Sequence, residues 1–256
     1  MEPIVGRVGP FLIYGYTAVL ASSIALALAL THWLTRRTQA FAAIPGWIDG
    51  VLAALVGAFL VGHAGFVAGE WAYFVERPSQ IWQVWRGGFS FHGALLGGVA
   101  GLWVWTVVGQ KRPFAAYANL LAPALALVNA GGWLACWMEG CAYGRETVYT
   151  GQWWHDWLAA DLPDTLGLFA LRYQTQLLGA ALGLLALLLA LTTIKREKVG
   201  GLFWLVLLLI SISHLLVSLL RGDPAPQLAG ARLDTWLNAW LALISVIQYW
   251  RVKRDT

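Results

Sequence analysis

Apolar residues fall along this chain in runs of 20 residues or so, broken by short polar or basic stretches, at approximately 10–34, 49–73, 88–109, 114–138, 173–194, 200–220 and 234–250. At 1.5 Å of helical rise per residue, each run is long enough to cross a hydrocarbon layer of roughly 30 Å. In lipid a helix pairs its own backbone N–H and C=O groups, which an isolated strand cannot do. The pattern predicts an all-α integral membrane protein with about seven transmembrane helices. Composition agrees: of 256 residues 59% are hydrophobic and 12% charged, and the mean hydropathy is +0.64. A soluble domain of this size cannot hide so much apolar surface.

Basic residues set the orientation. They cluster after alternate runs, as Arg36 with Arg37, Lys111 with Arg112, Lys195 with Arg196 and Lys198, and Arg251 with Lys253 and Arg254. Cytoplasmic ends of spans collect such charges, so the N-terminus is expected outside and the C-terminus in the cytoplasm. The first run follows a single Arg7 and is long, so it is read as a retained helix rather than a cleaved leader. The net charge of +4 has its source in these clusters, which face anionic lipid, and nothing points to nucleic acid. Several of the 16 tryptophans, among them Trp33, Trp71, Trp82, Trp153 and Trp154, fall near span ends and read as anchors at headgroup level.

No linker or repeat divides the chain, so residues 1–256 are read as a single polytopic domain. Two stretches on the outer side stand apart. Glu76–Gly88 is too apolar for a solvated loop and predicts an interfacial segment. Cys141–Arg172, with Asp156, Asp161, Asp164 and three tryptophans, predicts a small extracytoplasmic head, residues 141–172. Cys136 and Cys141 are five apart near the outer end of the fourth run. They read as buried thiols; a disulfide is the alternative in an oxidising compartment, and a metal or cofactor site is not expected.

Polar groups inside spans are costly, about 2.5–3.5 kcal/mol each on insertion scales, and mark candidate chemistry. Here they are His63, Glu70, His92, Asn129, Glu139, Gln176, His214 and Asn238. The alternative for each is a hydrogen bond between helices. Arg86 to Gly98 is less easily explained that way, because five glycines surround His92 and allow close approach to a helix start. A helix N-terminus there suits an anion, and lipid phosphate is the anion at hand, with Arg86 and His92 beside it.

Trp85–Gly98 resembles the W-x-GG-x-S-F-HGG-L-x-G pattern of the prolipoprotein diacylglyceryl transferases. A second similarity covers residues 126–147, where Gly132, Cys136, Gly140, Tyr143, Gly144 and Arg145 fall in place. Fainter ones are Ile13-Tyr14-Gly15, Asn119 to Pro123, and Thr175-Gln176-Leu177. The resemblance implies seven spans in a bacterial cytoplasmic membrane. It also implies transfer of the diacylglyceryl group of phosphatidylglycerol to a lipobox cysteine thiol, with release of glycerol phosphate. It places His92 and Tyr14 as catalytic residues. Arg86, Gly88, Gly93, Glu139, Gly144, Arg145, Gln176 and Arg221 are expected to line the substrate site.

The chain departs from the family at charged positions. Ala64 and Trp133 stand where the resemblance expects arginines, Gly179 where it expects a glutamate, and His214, Ser218 and Arg221 where it expects Arg, Glu and Arg. An indole for a guanidinium removes a charge and up to five donors. Two readings follow: a divergent active transferase in which Arg86, Arg145 and Arg221 do the anion work, and a non-catalytic paralogue serving as lipid-binding scaffold or accessory subunit of a membrane complex. A transporter fits worst, since no inverted repeat is present.

Overall fold

The computed structural model describes residues 4–9, 11–42, 44–84 and 87–254. They fall into two compact units, one of residues up to Arg37 and from Ala122 onward, the other Thr38–Leu121.

In the first unit a short antiparallel hairpin, β1 (Ile4–Val8) and β2 (Phe11–Tyr14), runs straight into helix α1 (Gly15–Arg37). The second unit holds α2 (Gln39–Ala42), α3 (Trp47–Gly69), α4 (Trp71–Glu76), a 3-10 turn at Pro78–Trp82, and α5 (Phe91–Trp103), which continues as a π-helical turn to Gly109. Helix α6 (Phe114–Glu139) begins there and ends in the first unit. The first unit then adds α7 (Trp153–Trp157), the hairpin β3 (Ala159–Pro163) and β4 (Phe169–Tyr173), α8 (Thr175–Thr193), α9 (Gly201–Ser218), the small hairpin β5 (Gln227–Leu228) and β6 (Ala231–Arg232), and α10 (Leu233–Arg254).

Six of these helices are long and apolar enough to cross a membrane: α1, α3, α5 with its π turn, α6, α8 and α9. The multi-pass membrane protein expected from the sequence is therefore the protein observed. The last apolar run of the sequence folds as α10, a helix of 22 residues that carries Asp234 in its first turn and Arg251, Lys253 and Arg254 in its last.

Packing follows the membrane rule that small residues face neighbouring helices and large ones face lipid. On α8 the buried side is Gly179, Ala180, Gly183, Ala186 and Ala190, while Leu184, Leu185 and Leu188 point outward. Between α3 and α5 the backbones approach so closely that a Cβ on Gly57 or Gly97 would overlap the carbonyl of the other. Gly101 meets the Ala53 carbonyl and Gly93 the Val61 carbonyl in the same way. Lipid offers no hydrophobic drive between helices, so such contact gives dispersion and Cα–H···O attraction its full effect.

Residues 141–172, the stretch expected to form a head, hold α7 and all of the β3–β4 hairpin except its last residue, Tyr173. Asp164 Oδ1 accepts from the Leu166 and Leu168 amides at 2.8 and 3.0 Å and closes the hairpin turn.

The expectation of free, buried thiols is overturned, because Cys136 and Cys141 form a disulfide with Cα atoms 4.8 Å apart. On a continuous helix residues i and i+5 diverge. Here α6 stops at Glu139, and Gly140 at φ +74° turns the chain back so that the Cys141 amide donates to the Cys136 carbonyl at 3.0 Å.

Candidate functional site

In the second unit the glycine-rich stretch becomes a helix start, as the sequence suggests. Ser90 is the N-cap of α5, and its hydroxyl accepts from the Gly93 amide at 3.3 Å. The Ser90 amide donates to the Gly62 carbonyl of α3 at 2.9 Å, which fixes where the helix begins. His92 is therefore the second residue of α5, half-buried, with the Phe91 ring 5.2 Å from its own. Gly93 is buried against α3, and any side chain there would press on the Val61 carbonyl. Gly88 has φ +85° and lies under the Phe66 ring, so only glycine fits. Arg86 lies outside the described residues.

Beside this helix start is a cleft of about 450 Å³ lined by His63, Phe66, Glu70, Tyr73, Gln83 and Gly88, among others. The ring nitrogens of His63 lie 3.1 Å from the Gly88 carbonyl and 2.7 Å from that of Ile81. This histidine, a candidate on the sequence, holds two loops on the end of α3.

The first unit gathers the remaining candidates around one backbone strip. Residues 143–147 run between 220–222 and 171–173: the Arg145 amide donates to the Leu220 carbonyl at 2.8 Å, Gly222 to Tyr143 at 2.9 Å, and Thr147 to Leu171 at 2.9 Å. Gly144 sits at the tightest point, where a Cβ would overlap the Tyr173 carbonyl. Gln176 is buried at the start of α8 and donates to the Cys141 carbonyl at 2.9 Å, while Thr175 donates to that of Ala142 at 2.7 Å. These bonds hold the turn after Glu139, the last residue of α6. Tyr14 closes β2 opposite Ile4 and is partly exposed.

The two arginines on this strip differ. Arg145 is exposed, and its guanidinium stacks 5.5 Å over the Tyr173 ring. Arg221 is paired with Asp223 and, at 3.0 Å, with Asp234. Burial works against its charge, but the hydrogen bond to Asp223 and the charges of Asp223 and Asp234 outweigh that and hold it above its ordinary pKa. Arg232 completes the group through Asp234 at 3.2 Å and the Asp223 carbonyl at 2.6 Å.

Sequence reasoning missed this four-member network and also Arg172, a buried guanidinium paired with Glu146 at 3.0 Å and Asp164 at 3.4 Å. The network had a signal, an Arg-x-Asp spacing repeated at 221–223 and 232–234. Deeper in the same unit, His214 on α9 lies between two residues of α6, its Nε2 2.8 Å from Asn129 Oδ1 and its ring 4.9 Å from that of Trp133.

Among the described residues no group of three or more His, Cys, Asp or Glu could hold a metal ion. The second unit offers a histidine at a helix start beside a cleft, and the first unit, described by itself, offers a rigid strip that presents an arginine.

Residues 3–251 match the family model described as prolipoprotein diacylglyceryl transferase. Similar curated proteins carry the name phosphatidylglycerol–prolipoprotein diacylglyceryl transferase. The one from Bacillus cereus is 30% identical over 96% of this chain and 90% of its own. That from Symbiobacterium thermophilum is 28% identical over 99% and 94%, and that from Trichormus variabilis 26% over 86% and 79%. A match that spans nearly every residue from the first hairpin to the end of α10 leaves one conclusion: the chain belongs to the prolipoprotein diacylglyceryl transferase family.

Proposed function

We propose that this protein transfers the diacylglyceryl group of phosphatidylglycerol to the thiol of a lipobox cysteine in a preprolipoprotein. The observation that carries the reading is the family match over residues 3–251, with relatives named for that reaction aligned along nearly the whole chain. In the reaction the thiol gives up its proton, its sulfur bonds to the terminal glyceryl carbon, and the bond from that carbon to phosphate oxygen breaks, releasing glycerol phosphate. His92, second in α5, is assigned to orient the thiol and take its proton. Tyr14 is the second catalytic assignment. Arg145 and Arg86 are assigned to the phosphate as charge develops on the leaving group.

Gln176, Gly144 and Arg221 support that assignment by shaping the strip that presents Arg145, and Glu139 at the end of α6 is assigned to the substrate site with them. Gly88 and Gly93 do the same for the helix start. The membrane is assigned as the bacterial cytoplasmic membrane, crossed seven times with the N-terminus and the head outside, the chain working as one polytopic domain.

The test is transfer in vitro, with phosphatidylglycerol and a lipobox peptide given to the purified protein and to His92→Ala. The expected result is glycerol phosphate release by the wild type and its loss, by a hundredfold or more on the usual scale of general-base catalysis, in the variant. No release that depends on His92 overturns the assignment.

A further inference from the structure

Between the end of α6 and the start of α8 the usual placement of side chains is reversed. Several ionisable groups turn inward: Arg172 meets Asp164 at 3.4 Å, and Asp156 accepts from the Thr150 and Gly151 amides at 2.9 and 3.0 Å beside the buried His155. Large apolar side chains turn outward instead. Trp153 and Trp157 of α7, with Leu166, Leu168 and Phe169 at the turn of the β3–β4 hairpin, are between 62% and 83% exposed. Apolar surface gathered in this way marks a contact with a partner or a membrane.

Backbone contacts fix the height of both groups. Gln174, the residue before α8, donates from its amide to the Leu158 carbonyl at 2.8 Å and from its side chain to the Trp157 carbonyl at 3.1 Å. Trp157 is therefore level with the entry of α8. At the other point, a Cβ on Gly140, the residue after α6, would lie 3.5 Å from the Asp164 carbonyl oxygen, so the hairpin turn sits beside the end of α6. The two helix ends are level in turn, because Gln176 and Thr175 in the first turn of α8 donate to the Cys141 and Ala142 carbonyls. Both helices are long and apolar enough to span, and the 19 residues of α8 are about the length of the hydrocarbon layer. Both apolar points thus lie at the boundary where the spans leave the hydrocarbon.

We propose that the head docks on the lipid surface at two points, the tryptophans of α7 and the apolar hairpin turn, in the leaflet at which α6 ends and α8 begins. Lipid is the occupant that the chemistry fits, since an indole seats its apolar body below the headgroups and keeps its N–H at the wet side, while Leu and Phe enter the acyl boundary. A soluble protein would have to displace lipid from the same depth. On the transferase reading, docking also sets Arg145 level with lipid phosphates, because its carbonyl accepts from the Tyr173 amide at 3.3 Å, one residue before Gln174. The docking itself rests on the spans alone.

Photolabelling tests it. The full-length protein, one copy per nanodisc of dioleoyl phosphatidylcholine, is irradiated with a phosphatidylcholine that carries a diazirine near the carbonyl end of one acyl chain, and adducts are mapped by mass spectrometry. Adducts are expected at 153–157 and at 164–169, together with Leu177, which is exposed in the first turn of α8. A diazirine at the methyl end is expected to label the exposed Leu184 and Leu188, deeper along α8, and to leave the head unlabelled. Leu166→Glu with Leu168→Glu alters side chains that the fold leaves exposed, and is expected to abolish labelling at 164–169.

Labelling of Leu177 with none on either segment overturns the proposal, and that result needs no variant. Labelling of one segment alone overturns docking at two points, and so does labelling at 164–169 that the double variant leaves unchanged. Adducts that a lipobox peptide displaces assign the face to the peptide and overturn lipid docking. The discs hold no phosphatidylglycerol and no turnover is read, so a failure of transfer counts against the transferase reading alone and a failure of labelling against the docking alone.

Discussion

The indole of Trp133 on α6 rests on the Cα of Gly179 on α8, so close that a Cβ at position 179 would overlap the ring. With the His214 ring 4.9 Å from the same indole, three positions at which the resemblance expects charges meet around one apolar ring. Losses at such positions are commonly read one by one, but here they are sterically coupled, since a glutamate at 179 and an indole at 133 exclude each other. Gly179→Ala is expected to cost about 1–3 kcal/mol through overpacking. Trp133→Leu in the same chain should recover most of that, because the shorter side chain vacates the space. Thermal unfolding in detergent of the two single variants and the double gives the coupling, and strictly additive costs would show that the two residues do not compete.

Restoring a charge at position 133 alone should not help. Trp133→Arg puts a guanidinium where the neighbours are Gly179, His214, Ala180 and Val217, none of them an anion. A buried charge without its partner costs several kcal/mol. The expected result is a lower unfolding temperature and no gain in glycerol phosphate release. A robust gain from this one substitution refutes the coupled view.

Arg172 is the internal tie of the head. Its guanidinium reaches Glu146 and Asp164 and stacks 5.0 Å over Tyr143, with 7% of its side chain exposed. Arg172→Met keeps much of the volume and removes the charge, and it should destabilise the head by somewhat less than the roughly 3–5 kcal/mol of a fully buried ion pair, because Asp164 is mostly buried but Glu146 is largely exposed. Hydrogen exchange reads this locally. Amides of the β3–β4 hairpin are expected to lose protection while those of α9 keep theirs, and uniform loss would mean that Arg172 supports the whole unit instead.

Six of the seven expected spans were legible, because membrane insertion depends on a property summed over about 20 residues, which no single position can spoil. The start of α5 was legible for a related reason: Gly87, Gly88 and Gly93 next to His92 have few uses other than a tight helix start against a neighbour. The disulfide was hidden because the spacing of Cys136 and Cys141 was measured on an unbroken helix, and the break depends on a turn with left-handed residues at Gly140 and Ala142. Arg221 read as a cation for a ligand because the sequence does not show that Asp223 and Asp234 fold back onto it. Long-range pairing of charges around short hairpins follows from tertiary contact alone. Trp133 was visible as a departure, but its fit against Gly179 could be read only once α6 and α8 were placed side by side.

Two carboxylates in the head set its response to acid. Asp156 is held below the usual carboxylate range chiefly by the Thr150 amide, then by His155, with the Gly151 amide adding to them. Asp164 is lowered chiefly by the Leu168 amide, then by Leu166 and the charge of Arg172, with partial burial opposing. A carboxyl depressed in the folded state contributes stability that is complete above its unfolded pKa, near 3.9, and is lost as pH falls through the folded value. The head is therefore expected to be insensitive from neutral pH down to about pH 4 and to loosen below it. Asp156→Asn and Asp164→Asn should each reduce that acid sensitivity, followed by hydrogen exchange of residues 147–172 against pH. Loosening that begins near pH 6, or is unchanged in both variants, would assign the response to other groups.

The turn after α6 depends on its covalent closure. The disulfide joins residues five apart, and the Cys141 and Ala142 carbonyls just beyond it accept from Gln176 and Thr175 of α8. Reduction frees a short loop, for which chain-entropy reasoning gives a stabilisation of about 2 kcal/mol. The effect should be focused, because what loosens is the turn that leads to Gly144 and the strip carrying Arg145. Cys136→Ser and Cys141→Ser, singly or together, are expected to give the same loss, since one sulfur without the other closes nothing. Mass spectrometry of protein isolated without reductant, denatured and treated with iodoacetamide, should show no adduct before reduction and two after it. Two adducts without reductant would show that the two thiols are free and that the turn is closed by its hydrogen bonds alone.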